Sequence, residues 1–141
     1  MAANVIVDAG LLVALLSRRD AHHPWAIRQA REYAPPWRTC DSVLSEAFHL
    51  LGGRGLPALS ALIRRGAVVT GFDLASEIEP VLRLMQKYAS VPMSLADACL
   101  VRLSETFPDP VILTTDADFQ IYRRHSRQIV PCVLPVKGRV R

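Results

Sequence analysis

Four carboxylates stand out by where the chain puts them. Asp8 directly follows the apolar run Val5-Ile6-Val7, and Asp116 follows Val111-Ile112-Leu113-Thr114-Thr115, with Asp118 two residues on. In an open parallel α/β sheet, ligands bind outside the carboxyl ends of the strands, so acids in these positions stand where chemistry is done. Asp97 interrupts Ser94 to Ser104, a helical stretch apolar nearly all round, where a carboxylate is costly to bury unless a cation or donor meets it. Glu46 lies just outside the apolar stripe of an amphipathic helix. Each acid also has a plainer role when taken alone. Asp8 and Asp116 are favoured N-cap types at a strand-to-helix junction, Asp97 is the fourth residue of a capping-box-like Ser94-Leu95-Ala96-Asp97, and Glu46 is a solvated helix residue.

Taken together they read differently. No basic residue stands beside any of them in sequence to neutralise it, and acids from several elements can converge at one sheet edge. An all-carboxylate set suits a hard divalent cation, Mg²⁺ or Mn²⁺. Such an ion lowers the pKa of a bound water and stabilises both oxygens of an in-line phosphoryl displacement. That is nuclease chemistry.

The elements that must position these acids follow from the apolar pattern. Asn4 to Val7 reads as a buried strand leading into a helix over Leu11 to Leu16. Pro24 opens a second helix that stops at Pro35-Pro36, and a short strand follows near Arg38 to Cys40. Val43 to Leu51 repeats at helical spacing up to Gly52-Gly53, and a further helix runs from Pro57 to Arg65. Ala67 to Phe72 is a strand. The next helix, carrying Val81 to Tyr88, starts either at a Ser76/Glu79 capping box or at Pro80. After the Ser94 helix come a strand over Val111 to Thr115, a short helix from Ala117 to Arg124, and a last strand over Ile129 to Leu134 in which Pro131 marks an edge. Alternating helices and continuous apolar strands, without hairpin turn dipeptides between them, specify an α/β three-layer domain with a mostly parallel sheet.

Composition sets the outer limits. The 141 residues suit one domain, 1–141, long enough to bury a core without disulfides or a structural metal. Cys40, Cys99 and Cys132 show no CxxC spacing and read as free thiols in a reducing cytoplasm. The chain start lacks a basic leader or a long apolar stretch, so neither secretion nor membrane insertion is expected. The net charge of +4 is modest, but all 13 acids lie at or before Asp118, leaving Arg123, Arg124, Arg127, Lys137, Arg139 and Arg141 without an acid among them. Such a rim would suit RNA phosphates, and equally a solubilising face. Tyr122 is either a base-stacking or a packed aromatic. His22-His23 precede Pro24 as capping or exposed residues, and no Cys/His spacing suits zinc. Gly52-Gly53-Arg54-Gly55 follows a helix and lacks GK[ST], which excludes a phosphate loop, and there is no GxSxG elbow.

The motifs VDAG with LLVALL after it, SEAFHLL, SLADACLVRL and ILTTDADFQIYR, in this order over nearly the whole chain, resemble a PIN domain of the kind found in VapC-type toxins. The resemblance implies a PIN-like α/β/α fold with about five central strands. It further implies that Asp8, Glu46, Asp97 and Asp116 form an acidic site for Mg²⁺ or Mn²⁺, with Asp118 as an added acid. Thr114 or Thr115 would orient the site, and Thr114, Arg123 and Arg124 are the candidate substrate contacts. The implied activity is hydrolysis of RNA by a homodimer held in check by a cognate antitoxin. One departure is visible: Ala9-Gly10 follows Asp8 where many members carry a hydroxyl residue. The competing reading is a non-catalytic PIN-like module that binds RNA or a protein partner, its acids serving only as caps.

Overall fold

In the computed structural model, residues 3–136 are described. The sheet contains β1 (Asn4–Val7), β2 (Trp37–Arg38), β3 (Val68–Val69), β4 (Pro110–Leu113) and β7 (Cys132–Val133), in the spatial order β3-β2-β1-β4-β7, and every pairing is parallel. Helices α1 (Ala9–Leu16), α2 (His23–Glu32), α3 (Asp41–Arg64), α4 (Leu74–Lys87) and α5 (Leu95–Glu105) flank it. α1 packs on α2 and α3, α4 on α5, and α5 on β4. The α/β fold with about five central strands therefore holds.

The strands are apolar throughout because the sheet is covered. Ile6, Val7, Ile112 and Leu113 are fully buried, as are Leu11 and Leu12 on α1. Each such side chain stabilises the fold by roughly 1.5–3 kcal/mol. One continuous core joins them to Leu59, Val81, Leu100, Phe119 and Val130.

The order of the strands fixes where a site can form. From β1 the chain moves outward to β2 and β3, then returns to β4 on the other side of β1. The crevice between the carboxyl ends of β1 and β4 is thus the topological switch point. Val7 pairs with Leu113, so the next residues, Asp8 and Thr114, emerge side by side. The Asp8 N–H extends the ladder by donating to the Leu113 carbonyl at 3.1 Å.

Several boundaries differ from the sequence expectation. Residues 41–64 run as two helical segments meeting at Gly52 alone, whose φ of 65° only glycine adopts readily, so Pro57 falls inside the second segment. α4 begins at neither Ser76 nor Pro80. Asp73 caps it by accepting the Ala75 N–H at 3.2 Å, and Pro80 is internal. The helix expected to reach Arg124 is a 3₁₀ turn over Ala117–Gln120. Beyond it, β5 (Arg123–Arg124) pairs antiparallel with β6 (Gln128–Ile129) as a separate hairpin. The single last strand is therefore split, and Pro131 separates β6 from β7, which does lie at the sheet edge.

Candidate active site

The crevice opens into a cleft of about 530 Å³, and Asp8, Glu46, Asp97, Asp116 and Asp118 all line it. With Asp20 from the loop before α2, six acids are brought to one surface. Gly10 makes the close approach possible: a Cβ there would collide with the Thr115 Oγ1.

Asp8 is buried and doubly held. It accepts the Ala9 N–H and the Thr114 hydroxyl, both at 2.8 Å. Burial pushes its carboxyl up to about 6, helped by the charges of Asp97 and Glu46 and opposed by those two hydrogen bonds. Asp97 is also buried, because α5 packs its neighbours Ala96 to Val101 into the core. Ser94 caps the helix by accepting the Asp97 N–H at 3.0 Å, and the Tyr122 hydroxyl donates to Asp97 Oδ2 at 2.8 Å. Burial and the nearby charge of Asp116 raise the Asp97 carboxyl, while the hydrogen bonds from Tyr122 and Ser94 pull it back.

Asp116 is a cap as well as a cleft residue. Its Oδ1 accepts the Asp118 N–H at 2.9 Å. The cap role anticipated for Asp8 and Asp116 is thus real, and it does not compete with ligation: a carboxylate offers about four lone-pair sites across two oxygens, and a cap occupies one. Glu46 projects exposed from α3 into the same cleft.

Thr114 is corrected as a substrate contact. It is fully buried, donates to Asp8 and accepts the Asp116 N–H at 3.0 Å, so it orients two acids and cannot reach a ligand. Thr115 is the threonine that lines the cleft. Arg123 and Arg124 are also corrected, since neither lines the cleft. Arg124 donates to the Ser104 and Phe107 carbonyls at 2.6 and 3.2 Å, satisfying the end of α5, and Arg123 holds the carbonyls of Gln120, Ile121 and Tyr122. Lys137, Arg139 and Arg141 lie outside the described residues.

Three residues have places at the site that the sequence reading did not assign. Tyr122 is the packed aromatic of the two alternatives and more: fully buried against Tyr88 and Phe119, it reaches Asp97 with its hydroxyl. Asp20 and His22 line the cleft from the loop before α2, where the Asp20 carboxylate accepts the His22 N–H at 2.8 Å. No periodicity or junction marks a loop of this kind.

The donor set fits a hard divalent cation. It is all oxygen apart from His22, and burial, with a smaller share from mutual repulsion, raises two of its members. Among the described residues the only ion pairs are those of Arg102 with Glu77 and Glu105, so no Lys or Arg neutralises the cleft. Among the described residues no three His, Cys, Asp or Glu side chains are gathered closely enough to hold a metal ion as they stand, so the fit rests on the chemistry of the donor set.

A model of the PIN domain family matches residues 5–124. The chain belongs to the PIN domain family. Among solved structures it is similar to VapC20 of Mycobacterium tuberculosis, described as a toxin that cleaves the sarcin-ricin loop. That likeness has a TM-score of 0.73 at 23% identity, covering 83% of this chain and 93% of the other. No curated protein matches. Among the described residues no helix is long and apolar enough to cross a membrane.

Proposed function

We propose that the protein is a divalent-metal-dependent endoribonuclease, acting as the toxin of a VapBC-type pair. The observation that carries this reading is the convergence of the five anticipated acids and Asp20, paired with no Lys or Arg among the described residues, on the switch-point cleft of a PIN domain. Asp8, Glu46, Asp97 and Asp116 would hold Mg²⁺ or Mn²⁺, with Asp118 beside them. When bound, the ion supplies an activated water and stabilises charge on the scissile phosphate. The protein's own part is positional. Thr114 fixes the Asp8 carboxylate and Tyr122 fixes that of Asp97, so that both present charge to the cleft without rearranging.

The likeness to a toxin that cleaves the sarcin-ricin loop supports a structured RNA as substrate; a small antitoxin as inhibitor, a homodimer as the working form and the cytoplasm as its place are part of the same proposal. The test is cleavage of a mixed pool of structured RNAs with Mn²⁺, Mg²⁺ or chelator, beside Asp97→Asn. Metal-dependent cuts absent from the variant support the nuclease. No cleavage in any metal, together with no metal-induced rise in melting temperature, transfers the assignment to a binding module with capping acids.

A further inference from the structure

An acidic cleft repels the nucleic acid it is meant to cut, so the strand must find cations close by that the fold has not already used. Arg123 and Arg124 are occupied by backbone carbonyls, and Arg38 lies over the Phe107 ring at 4.3 Å. Arg18 and Arg19, in the loop after α1, and Arg54, just past the Gly52 kink, are different. All three are exposed, and among the described residues their guanidiniums make no hydrogen bond or ion pair. They line one hollow of about 320 Å³.

That hollow is not a separate surface. Val13 and Leu50 line it and also line the acidic cleft, so the two are continuous across a shared wall. Leu50 is 57% exposed at this wall, an apolar step over which a ribose or base can lie. The kink at Gly52 turns the chain between Glu46, on the acidic side, and Arg54, on the basic side. Guanidiniums present planar forks that match phosphate oxygens in pairs.

We infer that Arg18, Arg19 and Arg54 form the phosphate-binding track for the RNA strand flanking the bond held at the acids. The inference rests on the nuclease reading. It specifies which side of the cleft the substrate leaves by and which residues supply its salt dependence. Continuity with the acids favours an RNA strand over an acidic protein partner, whose binding is an outcome of the test.

The experiment measures binding of a labelled single-stranded RNA by fluorescence anisotropy over a salt series, in chelator so that nothing is cut. It uses wild type, the triple variant Arg18→Gln/Arg19→Gln/Arg54→Gln with its three single variants, and Arg83→Gln on α4, which lines neither hollow, as the control matched to each single variant in charge. Each phosphate contact on a single strand contributes about 0.7 to the slope of log affinity against log salt, so the triple variant should lose up to about 2 of that slope. Its affinity at 0.1 M salt should fall by about tenfold or more, while Arg83→Gln behaves as wild type. Equal slopes for wild type and triple variant overturn the inference. So does a triple variant that keeps RNA affinity and loses only capture of an acidic protein. Metal-dependent cleavage by wild type is run in parallel: its absence counts against the nuclease reading, whereas cleavage with unchanged slopes counts against the arginine track alone. Unchanged circular dichroism melts confirm that the exposed substitutions leave the fold intact.

Discussion

The acids of the cleft are of two unlike kinds. Asp8 and Asp97 are buried, and each is gripped by a hydroxyl from a distant element, Thr114 or Tyr122. Glu46 and Asp118 are more open, and among the described residues neither side chain accepts a hydrogen bond. The buried pair is preset, with its charges held against burial and mutual repulsion. The open pair is free to adjust when a ligand arrives. The difference teaches that acids in one cleft need not contribute alike: the site's energy is stored where solvent is excluded.

The largest effect should come from the buried pair. Asp97→Asn keeps the shape of the side chain and an oxygen for Tyr122 while removing the charge. We expect RNA cleavage to fall by about a hundred- to a thousandfold, comparable to losing a central electrostatic contact in an enzyme site. Steady-state rates at saturating metal check it. If Asp97→Asn and Glu46→Gln lose activity equally, the distinction between the buried and the open acids collapses.

Next come the residues that hold the buried acids. Tyr122→Phe preserves the packing against Tyr88 and Phe119 and deletes only the hydroxyl, and Thr114→Val does the same beside Asp8. Loss of such supporting groups costs about ten- to a hundredfold in metal affinity or rate. Because the Tyr122 hydroxyl pulls the Asp97 carboxyl down, Tyr122→Phe should also move the acidic limb of the pH–rate profile to higher pH. A merely structural tyrosine would leave that limb in place.

Burial of Asp8 makes a prediction about pH. Its carboxyl stands at about 6 in the fold against 3.8 when exposed, so between those values the folded chain holds a proton that the unfolded chain has released. Without metal, its contribution therefore lowers stability as pH rises from 3.8 to about 6, by about 3 kcal/mol in all, and is constant above. Metal binds the ionised form, so the rise in melting temperature given by Mn²⁺ should be full above about pH 6 and shrink below it. Scanning calorimetry across this range, with Mn²⁺ and with chelator, reads both signs. A metal-induced rise that does not change across pH 6 would remove Asp8 from the ligand set.

Much of this was legible in the sequence because it depends on local rules. Continuous apolar strands gave the parallel sheet, and an acid one residue past a strand lands at its carboxyl edge whatever the rest of the chain does. What escaped was tertiary. Phe119 and Tyr122 share helical spacing, which suggests a helix to Arg124. The 3₁₀ turn instead ends at Gln120 because Arg124 is drawn to the carbonyls ending α5. The hairpin that follows turns on His125 and Ser126, both at positive φ, where sequence rules look for glycine or asparagine. Glu105 accepts the His125 N–H and Lys87 donates to the Ser126 carbonyl, contacts that no local pattern reveals. The engagement of Arg123 and Arg124 was hidden for the same reason: counting arginines along the chain cannot show which ones the fold has already used.

The smallest effect belongs to the open pair. Glu46→Gln and Asp118→Asn each remove a charge that water and salt screen and that no neighbour holds in place. Neither substitution leaves a buried group unpaired, so stability should change by no more than about 0.5 kcal/mol. Activity at saturating Mn²⁺ should fall by no more than about tenfold, since an adjustable ligand can be replaced by water in an open site. The loss should grow as metal is made limiting, because the removed charge then reports on affinity. Metal titrations of cleavage for the two variants separate these cases. A fall as deep as that of Asp97→Asn at saturating metal would mean that Glu46 acts on the reacting atoms themselves, and that exposure in the free protein does not measure a carboxylate's share of the chemistry.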